Sequence, residues 1–315
     1  MRHNIVVSIC FMEDPCIMFL RTNPFEITGT WSPHNNVSKK QAVGFDKVNG
    51  ICLSGHMIYM LKQLREENDF DISCIVIGRI IVDKNGPTIE TIGFSGDIGI
   101  DAHDIVLVNK DGSIDNLLVT STGTDHVTQA DIRRNDAAFQ FKPIICLGQR
   151  PTADIHHFNS LSLFGEHVYV TAAHKGHQKG RSGDAYRMLP DGSNGEWLNI
   201  EDMNKRLYLM PHNYTQIDEE SYILCDSLRN RVVMKREDEY IDVNLGAWTR
   251  GLLQLPDGKF IVGVTPRREK THINGTIPSA ALALLDENMR IEEWFDLPIT
   301  KDDGGNIFSI RELEL

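Results

Sequence analysis

The chain has no apolar run of about eighteen residues, the length a spanning helix needs, so no transmembrane helix is expected. It has no basic excess: 32 Lys and Arg stand against 44 Asp and Glu, a formal charge of −12. Nucleic acid and anionic membrane surfaces both favour basic partners, so this balance argues against either. No secretory leader is legible in residues 1–20, because Glu13, Asp14 and Pro15 interrupt the apolar stretch and no small-residue cleavage site follows. A cytoplasmic location is the resulting expectation.

The six cysteines, Cys10, Cys16, Cys52, Cys74, Cys146 and Cys225, form no Cys-x-x-Cys pair. A thiolate metal site has no support in that spacing. Most lie in apolar runs of β type, and buried free thiols are expected. The chain also lacks a Gly-rich phosphate loop, a Gly-x-Ser-x-Gly elbow and a His-Glu-x-x-His pair, which weakens nucleotide, serine-hydrolase and zincin readings.

What is present is a repeated phrase: a polar pair or triplet, an apolar strand, a Gly or acidic turn, and a second apolar strand. His157-Phe158-Asn159 leads to Val168–Thr171, His212-Asn213 leads to Tyr222–Cys225, and Thr249-Arg250-Gly251 leads to Phe260–Val262. The same phrase starts near Asn49 and at His103-Asp104, and more weakly at Gly304-Gly305-Asn306. Asn49, Asp104, Asn159, Asn213, Arg250 and Asn306 are separated by 55, 55, 54, 37 and 56 residues. A period near fifty with four short strands per unit is the pattern of a β-propeller. Six starts predict six blades in one all-β domain over residues 1–315. The last phrase ends too close to the C-terminus for a whole blade, so Asn4–Cys10 and Cys16–Thr22 are expected to complete it and remove a free sheet edge. Three stretches resist strand assignment. Residues 61–69 read as a short helix or charged loop, 125–135 as an exposed loop near a pocket mouth, and 174–183 as a flexible loop.

In a propeller the residues that open each innermost strand crowd around one end of the axis. That geometry gathers Asn49, His103, Asp104, His157, Asn159, His212, Asn213, Arg250 and Asn306 into one ring. His103, His157 and His212 are candidate acid–base groups or ligands for a divalent ion (Mn, Ca, Mg or Zn). Arg250 is the candidate clamp for a carboxylate or phosphate. Asn49, Asp104, Asn159, Asn213 and Asn306 are candidates to orient substrate. The competing use of such residues is structural, because Asn, Asp and His at strand starts often bond to backbone. His56, His126 and His167 fall outside the phase and are expected at the surface. His174 and His177 could reach the ring from a loop, and Arg267-Arg268-Glu269 reads as a solvated charge cluster.

These phrases resemble a family of bacterial β-propeller proteins of unknown function. Its pattern is matched by His157-Phe158-Asn159 with Tyr169–Ala172, by Pro211-His212 with Leu224–Ser227, and by Thr249–Leu252 with Val262-Gly263 and Arg268-Glu269. Ser160 departs from the usual glycine and Asn213 from the usual serine. The family is itself distantly similar to the gluconolactonase and senescence-marker propellers, whose pocket holds a divalent metal through Glu, Asn and Asp. No early glutamate of this chain matches that set, so the likeness implies fold before chemistry. The reading that follows is a metal-assisted hydrolase, lyase or isomerase acting on a small polar or carbohydrate-derived molecule. The alternatives are a glycan- or peptide-binding propeller and an interaction scaffold.

Overall fold

In the computed structural model the described residues are 1–10, 16–32, 45–65, 71–111, 114–133, 139–146, 155–174, 182–266, 277–300 and 305–314. They form six four-stranded antiparallel blades in a ring. Blade 2 runs Phe45–Ser54, Met57–Arg65, Asp71–Asp83 and Gly86–Phe94, from the axis outward. Blade 3 follows the same order from Ala102–Asp111 to Phe139–Cys146, and blade 4 from Phe158–Phe164 to Glu196–Trp197. Blade 5 runs from Pro211–Gln216 to Glu239–Asn244, and blade 6 from Trp248–Gln254 to Ile291–Thr300.

Blade 1 is assembled from both ends of the chain. Asn306–Glu312 is its innermost strand and pairs antiparallel with Asn4–Cys10, with Ile5 opposite Glu312 and Val7 opposite Ile310. Ile17–Arg21 and Glu26–Trp31 complete it outward. Each of the six phrase markers lies on a different innermost strand, as the repeat spacing predicts.

Both faces of a blade are covered by its neighbours, so its strands read as near-continuous apolar runs rather than strict alternation. The core accordingly divides into six clusters, one at each interface between adjacent blades. Along one strand, Ile5, Val7 and Ile9 pack towards blade 6 while Val6 packs towards blade 2. Each fully buried Ile, Val or Leu contributes about 1.5–3 kcal/mol, so the ring is held mainly by these interfaces.

The turns follow their residues. Gly55 at φ 59° and Gly258 at φ 84° take the left-handed conformation that closes the first hairpins of blades 2 and 6. In the Asp83–Gly86 turn, the Asp83 carboxylate accepts the Asn85 amide at 2.7 Å.

The three stretches that resisted assignment resolve differently from expectation. Leu61–Arg65 continue the second strand of blade 2, and Leu61 is buried in the interface with blade 3. His126–Arg133 form the third strand of blade 3 rather than a loop, with Val127, Ala130 and Ile132 buried. Alternation with charged residues disguised that strand. Ser182 and Gly183 open the third strand of blade 4, while residues 175–181, with His177, lie outside the described residues. So do Arg267, Arg268 and Glu269. His56 is exposed, and His126 and His167 are half-buried. Cys10, Cys16, Cys52, Cys74 and Cys225 are buried free thiols.

Candidate functional site

Four of the residues expected to orient a substrate make bonds that join blades. Asn49 donates its Nδ2–H to the Ala102 carbonyl at 2.8 Å, and its Oδ1 accepts the Cys10 thiol at 3.0 Å. Asp104 accepts the Leu161 amide at 2.9 Å, linking blade 3 to blade 4. Asn159 donates to the Pro211 carbonyl at 2.9 Å, and Asn213 accepts the Gly251 amide at 2.9 Å. These bonds carry the connection from blade 2 round to blade 6. Hydroxyls reinforce it: Ser160 accepts the Asn213 amide, Thr122 donates to the Phe158 carbonyl, and Ser227 donates to the Thr249 carbonyl. The pairing of the innermost strand shifts register beside each of these residues, and such a bulge leaves backbone groups outside the regular ladder. An Asx side chain at one fixed phase satisfies them, which is a physical reason for the recurrence. Asn306 is buried on the innermost strand of blade 1.

His212 also has a packing role. It is 1% exposed, its Nδ1 lies 2.9 Å from the Met210 carbonyl and 2.8 Å from the Ser227 hydroxyl, and its ring meets Trp248 edge-on.

The remaining candidates converge. His103 is 5% exposed, and its ring lies edge-on to His157 and to Phe308, each with centroids 5.3 Å apart. His157 in turn meets His174 at 5.6 Å. Arg250, 4% exposed, lays its guanidinium on the Phe308 ring with Cζ 3.3 Å from the centroid, a cation–π contact. Arg311 donates to Asp104 at 3.0 Å. The site therefore draws on blades 3, 4 and 6 and on the closing strand of blade 1.

Two left-handed, non-glycine residues flank this cluster: Asp101 at φ 55° and His157 at φ 55°. Such backbone needs support, and each has it. Asp125 is fully buried and its carboxylate accepts the amides of Ile155, His156 and His157, pinning the segment that presents His157. Burial pushes the Asp125 carboxyl up, and those three amides oppose the shift. Gln63 donates to the Asp101 carboxylate. His103 Nε2 lies 3.2 Å from the same carboxylate oxygen, on an Asp101 side chain that is 32% exposed.

Burial pushes the His103 imidazole down to about 4, Asp101 opposing and Arg250 and His157 assisting. Burial alone would raise the Asp101 carboxyl, but His103, His157 and Gln63 outweigh it and hold it below the usual range. At neutral pH the pair is thus an ionised carboxylate beside a neutral imidazole. An ionised carboxylate accepts only, so Nε2 carries the proton and Nδ1 bears the lone pair. Nδ1 is buried and has no hydrogen-bond partner among the described residues.

Sequence reasoning missed Asp101, Gln63, Asp125, Phe308 and Arg311. Asp101 stands two residues before His103, a spacing that could have drawn attention to it. The others carry no local signal.

The set His103, His157 and His212 does not fit a metal: His212 is held by its own blade, and His103 Nε2 is directed to Asp101. Among the described residues, no three His, Cys, Asp or Glu side chains are grouped to hold one. Surface clefts occur elsewhere among the described residues. The first, about 980 Å³ between blades 4 and 5, is lined by Tyr169, Tyr214, Tyr222, Arg187, Glu219 and Glu237, among others. A second of about 640 Å³ lies between blades 3 and 4, and a third of about 240 Å³ lies beside His3. None includes a residue of the histidine cluster. No helix among the described residues is long and apolar enough to cross a membrane.

The strand order and ring closure define the class: a six-bladed β-propeller sealed by pairing its N- and C-terminal strands. No family model matches the chain, and no curated protein matches it. Among solved structures it is similar to a protein from Lactobacillus plantarum, at TM-score 0.56 and 12% identity over 100% of both chains. It is also similar to a chain of the COPII outer coat vertex, at TM-score 0.54 and 9% identity over 100% of this chain and 86% of that one. At such identities the likeness is one of fold alone.

Proposed function

We propose that this propeller is an enzyme acting on a small polar, carbohydrate-derived molecule at the axial end that holds His103, His157 and Arg250. One observation carries the reading. His103 is buried and neutral, is held at Nε2 by Asp101, and keeps Nδ1 without a partner among the described residues, while its ring and the guanidinium of Arg250 both meet Phe308. Hydrolysis, elimination and isomerisation all require a proton to be moved, and an imidazole held by a carboxylate is suited to that task. Arg250 would hold a carboxylate or phosphate of the ligand, its plane set by Phe308. Half-buried His157 and His174, with the partly exposed Asp101, form the open side of the cluster. The donor geometry supports no three-histidine metal set, and the divalent-ion expectation is tested separately by metal analysis of the purified protein.

The test is a thermal-shift screen of sugar acids, sugar phosphates and lactones, followed by turnover assays on each compound that binds. A hit whose binding is lost in Arg250→Gln and whose turnover is lost in His103→Gln supports the reading. A screen without hits, or turnover untouched by both variants, defeats it.

A non-catalytic binding role is favoured by a different observation, the cleft of about 980 Å³ between blades 4 and 5 with its row of tyrosines. Glycan or peptide binding there would survive His103→Gln and fail on Tyr214→Ala.

A further inference from the structure

The pairing of His103 with Asp101 does more than bury a polar ring. We propose that Asp101 is the positioning residue of this site: it fixes His103 as the Nε2–H tautomer and so makes Nδ1 the atom that accepts a proton from a hydroxyl of a bound small anion. This rests on the axial-site reading above, and it names which nitrogen works and what sets it.

Three independent features support the assignment. Nε2 faces the Asp101 oxygen at 3.2 Å, and an ionised carboxylate leaves that nitrogen no role but donor. Nδ1 is the other nitrogen, buried without a hydrogen-bond partner among the described residues, on a side chain that is 7% exposed. Burying a lone pair with no donor costs about 1–3 kcal/mol, so a ring placed only for packing would be expected to satisfy it. His212 shows what such a histidine looks like here, with its Nδ1 engaged by a carbonyl and a hydroxyl. Finally, Asp101 is held in the left-handed region and anchored by Gln63 from blade 2, so its carboxylate is fixed independently of His103.

The ligand class follows from the surroundings. Within a chain of net charge −12, Arg250 and His103 meet the same Phe308 ring, His103 touches His157, and His157 touches His174. A small anion bearing a hydroxyl would place its charge on Arg250 and its O–H against Nδ1. In the transfer, the O–H bond breaks, an Nδ1–H bond forms, and the ligand oxygen keeps the electron pair. The imidazolium that results is countered by Asp101, and the proton returns to the product when the reaction closes.

The experiment is nitrogen-15 NMR on histidine-labelled full-length protein without ligand, with His103→Gln subtracted to assign the ring. In the wild type, His103 should give a protonated Nε2 and an unprotonated Nδ1. Asp101→Asn is the informative variant, because Asn tolerates the left-handed backbone while its amide can also donate. It should abolish the single-tautomer signature. It should also lower kcat on any substrate found by about 10²–10⁴-fold, with KM nearly unchanged. A wild-type ring protonated at Nδ1, or a tautomer indifferent to Asp101→Asn in a folded variant, overturns the proposal. If Asp101→Asn fails to fold, Gln63→Leu serves instead, and a loosened tautomer there supports the assignment while an unchanged one counts against it. A correct tautomer in a protein that binds nothing in the screen refutes the axial-site reading and the proton transfer but leaves the role of Asp101 in setting the ring intact.

Discussion

Asp104 and Arg311 are 207 residues apart in sequence, and their carboxylate and guanidinium meet at 3.0 Å. Asp104 is buried on the innermost strand of blade 3, and Arg311 is on the strand that closes blade 1. The same carboxylate also accepts the Ile105 and Leu161 amides. One side chain therefore ties together blades 1, 3 and 4 across the axis. Burial pushes its carboxyl up, and Arg311 with the two amides pulls against that.

Removing Arg311 leaves that carboxylate buried and short of its cationic partner. Arg311→Ala should destabilise the fold by about 3 kcal/mol, because an uncompensated buried charge costs far more than the pair contributes. Asp104→Asn should cost less, since the amide can still accept from backbone. Urea denaturation of the two variants checks the order. Equal losses would show that the ion pair has no special weight.

The interblade bonds of the asparagines make a second prediction. Asn159→Ala removes the side-chain donor to the Pro211 carbonyl and the acceptor of the Ser160 hydroxyl proton. The expected loss is about 1–3 kcal/mol, read as a lower urea midpoint. Asn49→Ala should behave alike, because it bridges Ala102 and Cys10 in the same way. Neither should change the affinity of a ligand at the histidine cluster, whereas a ligand-orienting asparagine would.

How far these roles could be read from sequence depends on what each signal encodes. The period of the phrases carried the blade count, because every blade needs a polar residue at one phase of its innermost strand. That phase could not separate a blade-joining side chain from a ligand-facing one. Asn159 and His103 announce themselves identically, and only the distance to Pro211 or to Asp101 tells them apart. His212 occupies the same phase as His103, yet its neighbour Trp248 comes from the next blade, a contact with no sequence trace. Asp125 and Phe308 matter through long-range placement, so their importance appears only once the ring has closed.

His103 and His212 should respond oppositely to substitution. His212→Ala opens a void against Trp248 and leaves the Ser227 hydroxyl without a donor, costing about 2–4 kcal/mol. His103→Gln should cost little stability near neutral pH. If a ligand is found, His212→Ala should leave its turnover intact while His103→Gln abolishes it. Differential scanning fluorimetry and an assay on both proteins decide the matter, and loss of turnover in both would show that the axial ring acts as a whole.

The last prediction concerns acid. Burial holds the His103 imidazole at about 4 in the native protein, against an ordinary value of 6.5. The unfolded chain therefore binds a proton at this ring below pH 6.5 that the native state refuses until pH 4. Stability is unaffected above 6.5, falls as pH drops from 6.5 to 4, and levels off below. The depressed affinity corresponds to about 3 kcal/mol across that window. Asp202 acts in a lower range: burial would raise its carboxyl, but the Arg206 amide and guanidinium and the Asn204 amide bring it down. Its stabilisation is present above the ordinary carboxylate value of 3.8 and disappears as the pH falls further. Urea unfolding of wild type and His103→Gln from pH 7.5 to 4 separates the two. The wild type should lose stability more steeply, and parallel curves would mean that the native fold does not depress the proton affinity of His103.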